Sequence, residues 1–160
     1  MRKLVYLIFT CALLAHTALA QTITDRDITG NWEMVGFDMS GINWDFRSDV
    51  LSLSADMEKE FALSDKQQII ANLKQTLAPY KTGNVIIKPN QGYEQTLMGE
   101  TAKGTYSIVK QGNENFLKVT NDDDQRTVEM LKVQLTNNIM HLSMPSDDGS
   151  VTLLSFSRTK

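Results

Sequence analysis

The stretch Ile28-Thr29-Gly30-Asn31-Trp32-Glu33-Met34 near the front of the chain and Phe156-Ser157-Arg158 near its end decide the fold together. A buried tryptophan needs a partner for its indole face and another for its N–H. An arginine supplies such a partner, because its guanidinium stacks on an aromatic face and hydrogen-bonds around it. If the first and last strands lie side by side, the sheet closes on itself and Arg158 meets Trp32.

Between these ends the chain divides in three. Residues 28–37 read as one strand, 38–83 as a mostly helical insertion, and the remainder as short strands broken by turns. Turn signals fall at Pro89-Asn90-Gln91-Gly92, 99–104, Gln111-Gly112-Asn113, 121–124, Asn137-Asn138 and 146–149. The runs between them are rich in Val, Ile, Thr, Leu and aromatics, and that beat predicts an antiparallel meander. Strands are expected at 84–89, 93–98, 104–110, 115–120, 126–135, 138–144 and 150–158, which with the first makes eight.

Side chains in a strand alternate between two faces. Tyr106 and Ile108, Leu117 and Val119, Leu131, Val133 and Leu135, Met140, Leu142 and Met144, and Leu154, Phe156 and Arg158 then form apolar faces that line an interior. Arg158 falls inward beside Phe156, where a partner for Trp32 must be. Val128 and Met130 have the opposite parity, and a bulge near Glu129 is expected to turn them inward.

Two helices are expected in the insertion. Ser48 caps the first, with Val50, Leu53, Met57 and Phe61 at helical spacing. Ser64-Asp65-Lys66-Gln67 fits a capping box for the second, whose stripe is Ile69, Ile70, Leu73 and Leu77. Pro79 ends it near Ala78.

The first 20 residues read as a secretory signal peptide: Arg2 and Lys3, an apolar run, and Ala18-Leu19-Ala20 as the cleavage site. The protein is therefore expected to be exported to the periplasm or beyond, with residues 21–160 as one domain and no integral membrane segment once the signal is cleaved. Cys11, the only cysteine, sits behind Ile8-Phe9-Thr10, a poor match to the small residues that precede a lipidated cysteine. Cleavage removes Cys11 and His16 and takes the formal charge from −3 to −5. One histidine, His141, then remains, which excludes Cys–His nucleophiles and the usual Cys/His zinc sites. The chain has no basic tract, which argues against nucleic acid and anionic membranes as partners.

The Gly-x-Trp at 30–32, the meander and Arg158 resemble the calycin superfamily, and the chain is similar to the short secreted lipocalin-like proteins of bacteria. The resemblance implies a mainly β protein, an eight-stranded antiparallel up-and-down barrel with the two-helix insertion between its first and second strands. Gly30, Trp32 and Arg158 are its structural clasp, with Trp32 in the floor. The paired helices at 38–83 are similar to the lid of the fatty-acid-binding proteins.

In such a meander the short turns fall at the Trp32 end. The insertion and the connections 99–103, 121–125 and 145–149 fall at the other, which is expected to be open or lidded. Pocket candidates on the inward face near that end are Met34, Leu97, Tyr106, Val119, Met130, Leu142, Met144 and Leu154. The lid adds Phe37, Trp44, Phe46, Phe61, Ile69 and Leu73. Eight strands enclose either packed side chains or one small ligand.

Two readings of function follow. One is non-enzymatic binding of a small hydrophobic or amphipathic ligand, without a cofactor. The other is a packed barrel that acts as a protein-interaction or inhibitor module of the envelope, its protein partner unknown. Asp122-Asp123-Asp124, Asp147-Asp148 and Glu100 share one rim, as a solvated acidic edge or an oxygen-ligand site for a cation. Clustered in that way they lack EF-hand spacing, and no metal site is assigned. His141 reads as an outward surface residue, and no catalytic residue is assigned. Trp44 and Phe46 either anchor the lid or form part of a mouth. The Tyr106 hydroxyl serves either a ligand or the core.

Overall fold

The computed structural model describes residues 22–61, 65–123, 125–145 and 149–159. The expected signal peptide with Cys11 and His16, the expected cap residue Ser64, and Asp124, Asp147 and Asp148 lie outside the described residues.

Among the described residues ten strands form one antiparallel sheet: β1 Gly30–Met39, β2 Ile42–Asp45, β3 Val50–Leu53, β4 Asn84–Ile87, β5 Gly92–Leu97, β6 Glu100–Gln111, β7 Glu114–Asn121, β8 Val128–Thr136, β9 Ile139–Pro145 and β10 Val151–Arg158. Eight of them, β1 and β4 to β10, close into an up-and-down barrel, because β10 pairs with β1. Closure leaves those strands without a free edge.

β1 is long enough to serve two neighbours. Its first half, Gly30 to Glu33, pairs with β4, and its second half, Gly36 to Met39, pairs with β2. The register against β10 shifts between Met34 and Gly36, a bulge at Val35 where β1 passes from β4 to β2 while it stays paired with β10. Gly36 suits that passage, since a Cβ there would sit 2.6 Å from the Trp44 carbonyl oxygen. The β2–β3 hairpin thus extends the wall beyond the open end.

Three corrections to the expected elements follow. Residues 50–53 form strand β3 and not the start of a helix: Leu51 and Leu53 are buried while Val50 and Ser52 face out. Val-Leu-Ser-Leu satisfies both periods over four residues, and pairing with β2 decides between them. The first helix is only α2, Ala55–Glu60, capped by Ser54, whose hydroxyl accepts from the Met57 N–H at 3.3 Å. Second, β8 pairs with β7 in unbroken register, so no bulge forms at Glu129, and Met130 faces outward opposite Lys118. Glu129 itself points inward, opposite Val119. Third, the connection expected at 99–103 is a two-residue turn at Met98-Gly99 (φ 53° and 87°), and β6 starts at Glu100. Ser40-Gly41 (φ 49° and 82°) makes a similar turn between β1 and β2, with both central residues left-handed as tight hairpins require.

The second helix, α3 Lys66–Leu77, runs straight into a 3-10 turn, Ala78–Thr82, that begins around Pro79. Asp65 stands at its N-cap without a side-chain cap bond. α3 lies against β3 and the 3-10 turn, and the turn packs on β1 and β5.

The floor is built by α1, Asp25–Ile28, which crosses the closed end with Ile23 and Ile28 buried. The Trp32 indole N–H donates to the Ile28 carbonyl at 2.7 Å. The Arg158 guanidinium stands 4.6 Å from the Trp32 ring centroid and donates to the Asp27 carbonyl. Asp27 caps α1 by accepting from the Thr24 hydroxyl at 2.6 Å and its N–H at 2.9 Å, which holds its carboxyl below the usual range. Gly30 takes φ +143°, a conformation that L side chains rarely adopt, directly beside Arg158. The Gly-x-Trp pattern is therefore a backbone requirement followed by an anchor.

Candidate functional site at the open end

The lower half of the barrel is filled. Trp32, Val85, Ile87, Leu117, Val133, Met140 and Phe156 are buried against one another. Above them, at the end opposite Trp32, a cleft of about 530 Å³ opens between Met39 and Tyr80 on one side and Leu97, Met98, Glu100, Met144, Thr152 and Leu154 on others.

Of the residues expected to line a pocket, Leu97, Met144 and Leu154 meet in this cleft. Met34 lies just beneath, close to Gly83, where an added Cβ would come within 2.8 Å of its sulfur. Val119 and Leu142 are buried in the filled interior. Tyr106 sits lower than expected: its N–H donates to the Gln91 carbonyl and its hydroxyl to the Lys88 carbonyl at 3.4 Å, both on the floor-side turn. Burial raises the Tyr106 pKa, so the phenol stays protonated. Met130 is outside the barrel altogether.

The cleft includes residues that sequence patterns alone do not select. Met39 belongs to β1 because the Ser40-Gly41 turn continues that strand past residue 37. Tyr80 arrives on the 3-10 turn, 5.2 Å from Phe37 ring to ring. The Pro79-Tyr80 dipeptide at a helix end was the available signal.

The mouth is divided by strand. From β9 through β10 to β1 its inward residues are mainly apolar: Met144, Leu154 and Met39. From β5 through β8, apart from Leu97 at the end of β5 and Ala102, they are polar: Gln95, Glu100, Asn121 and Glu129. Tyr93, buried one step below, donates its hydroxyl to the Gln95 side-chain oxygen at 2.6 Å. Burial pushes the Tyr93 pKa well up, and the Glu129 charge adds to the rise. Glu129 in turn accepts from the Asn121 amide at 2.7 Å.

The insertion forms an aromatic cluster beside the cleft. Phe37 meets Trp44 edge-on at 6.3 Å and Phe46 at 5.8 Å, and Trp44 meets Phe46 at 5.1 Å. Lys81 stands 4.6 Å over the Trp44 ring. The Trp44 N–H donates to Asp49 at 3.3 Å, and Asp49 also takes Lys74 at 2.8 Å and Lys81 at 3.0 Å. Ile69 and Leu73 of α3 are half-buried against the core, whereas Phe61 is 38% exposed.

This arrangement predicts an acid response. Hydrogen bonds from Lys74 and Lys81 lower the Asp49 carboxyl from 3.8 to about 2. A carboxyl depressed on folding contributes stability that is whole above the unfolded value and fades as pH falls through the folded one. Trp44 fluorescence, read in a Trp32→Phe background, should therefore change between about pH 4 and pH 2. Asp49→Asn should abolish that step, and an unaltered titration would refute the assignment. Because Asp49 is exposed, added salt should shrink the step.

On the rim, Asp123 is taken up by turn chemistry: it accepts from the Thr127 N–H at 2.8 Å and hydroxyl at 2.6 Å. Among the described residues no group of three or more His, Cys, Asp or Glu side chains gathers as a metal site. His141 faces outward on β9, with its Nδ1 3.0 Å from the Ser155 hydroxyl on β10. Burial lowers its pKa. Among the described residues no helix is long and apolar enough to cross a membrane.

No family model matches the chain, and no curated protein matches it. Among solved structures it is similar to a DUF4847 family protein from Bacteroides vulgatus, with 18% identity over 82% of this chain and 94% of that one and a TM-score of 0.47. A likeness of that degree carries no argument about site or activity.

Proposed function

We propose that this protein is an exported, lipocalin-like binder of a small apolar or amphipathic molecule, held without chemistry at the open end of the barrel. The observation that carries the reading is the cleft of about 530 Å³ between Met39, Tyr80, Leu97 and Met144, at the end opposite the tied floor. Its size falls within the range of small-molecule sites, and its half-exposed apolar side chains gain by covering a ligand at about 25 cal/mol per Å² buried. Methionines at 39, 98 and 144 adapt to ligands of varied shape. The signal-like first 20 residues support a periplasmic or extracellular setting.

Binding of the neutral dye N-phenyl-1-naphthylamine tests this. Its fluorescence should rise on addition of protein, and Leu97→Arg should weaken binding at least about tenfold by placing a charge in the apolar wall. The denaturation midpoint of the variant, measured in parallel, separates lost binding from lost folding. Equal dye binding by both folded proteins would refute the site. The filled lower half favours a second reading, a packed barrel whose loops and acidic rim hold a protein. A single dominant co-purifying protein, with no dye binding, would select it.

A further inference from the structure

The charged side chains on the inward face of the mouth strands, Glu100 and Glu129, have one sign. We infer that the ligand is an amphipath with a cationic head, its tail on the apolar arc and its head toward Glu129 and Glu100. This rests on the binding reading above and specifies its ligand class.

The two arcs are a consequence of strand order. Met144 on β9, Leu154 on β10 and Met39 on β1 are consecutive around the ring, and Leu97 closes that arc across the 3-10 turn. Gln95, Glu100, Asn121 and Glu129 occupy β5 to β8, also consecutive. A ligand spanning the mouth thus meets hydrocarbon on one side and oxygen acceptors on the other. Glu129 is exposed at the mouth on the inward-facing side of β8: it is in phase with buried Leu131 and Val133, and its charge reaches Tyr93, three strands away around the barrel. Glu100 borders the apolar cleft itself.

Among the described residues no lysine or arginine shares the inward face of this half. Lys103 lies outward near Glu94, and Lys74 and Lys81 are engaged by Asp49. A carboxylate head would therefore meet two like charges and no lysine or arginine on that face, whereas an ammonium head gains hydrogen-bond acceptors and opposite charge. Asn121 spends its amide on Glu129 and so holds the carboxylate in place.

The test compares three probes with one tail length, each below its micelle concentration: dodecylamine, dodecanol and dodecanoate, competing against N-phenyl-1-naphthylamine. Dodecylamine should displace the dye at about tenfold lower concentration than dodecanoate, with dodecanol between. Glu129→Gln, which keeps shape and an acceptor for Asn121, should shrink the amine's advantage severalfold and leave dodecanol unchanged. Glu100→Gln serves as a second variant should the first fail to fold. Dye binding with the three probes equal, or with dodecanoate ahead, would overturn the cationic preference and leave the binding site standing. No binding of dye or of any probe would overturn both.

Discussion

Trp32→Ala should lower the stability of the barrel by about 3–5 kcal/mol, a large share of the roughly 5–15 kcal/mol that a domain of this size holds in total. Trp32 is 2% exposed and touches both walls of the floor. Its removal leaves a cavity under Ile28, orphans the Ile28 carbonyl and strips Arg158 of its stacking face. Urea unfolding followed by circular dichroism measures the loss, and an unchanged midpoint would show that the floor is not the anchor. Arg158→Ala should cost less, about 0.5–2 kcal/mol, because the guanidinium is exposed on its far side. The double variant should fall short of the sum of the two, since each change removes the same contact. Dye binding at the mouth should survive Arg158→Ala, which separates the clasp from the site.

Gly104→Ala should be nearly as damaging, at about 3 kcal/mol or more, although it adds only one methyl group. A Cβ at Gly104 would lie 2.1 Å from the Thr120 carbonyl oxygen and 2.9 Å from the Asn121 Cα, both backbone atoms of the neighbouring strand. Those atoms yield only if β6 and β7 separate, and β7 carries Asn121 into the mouth. Gly99→Ala is the control. Nothing stands within 4 Å of its added Cβ, and only the φ of +87° is unfavourable, worth about 1–2 kcal/mol. Thermal melts of the pair should order Gly104→Ala well below Gly99→Ala. The reverse order would mean that φ strain, not the close approach of strands, governs these glycine positions.

Much of the wall was legible from residue order. Alternation in Leu117-Lys118-Val119, Leu131-Lys132-Val133 and Met140-His141-Leu142 fixes which side chains enter the barrel, because a period of two leaves one apolar choice. Near the mouth the same rule loses force. Glu129 is inward and Met130 outward, against the hydrophobic preference, since the register with β7 is set by the residues below them. Val50 to Leu53 is too short for periodicity to choose between strand and helix, and its pairing with Trp44 settles the matter. The mouth residues Tyr80 and Met39 escape sequence reasoning for a related reason: each reaches the cleft through a turn, and a turn's direction is a tertiary property.

The residues alone settled that the chain ends meet. Gly30, Trp32 and Arg158 combine a backbone conformation, an indole face and a cation that satisfy one another only when β1 and β10 are neighbours, and that pairing forces the sheet to close. Local patterns carry such information because alternation and turn chemistry act over a few residues. The tertiary structure decided what occupies the open end: the bulge at Val35, the hairpin grown on β1, and the ring order that gathers Glu100 and Glu129 on one arc and Met39 and Met144 on the adjoining one. Those features depend on contacts between residues tens of positions apart. No short-range period encodes them, and the chemistry of the mouth is set there.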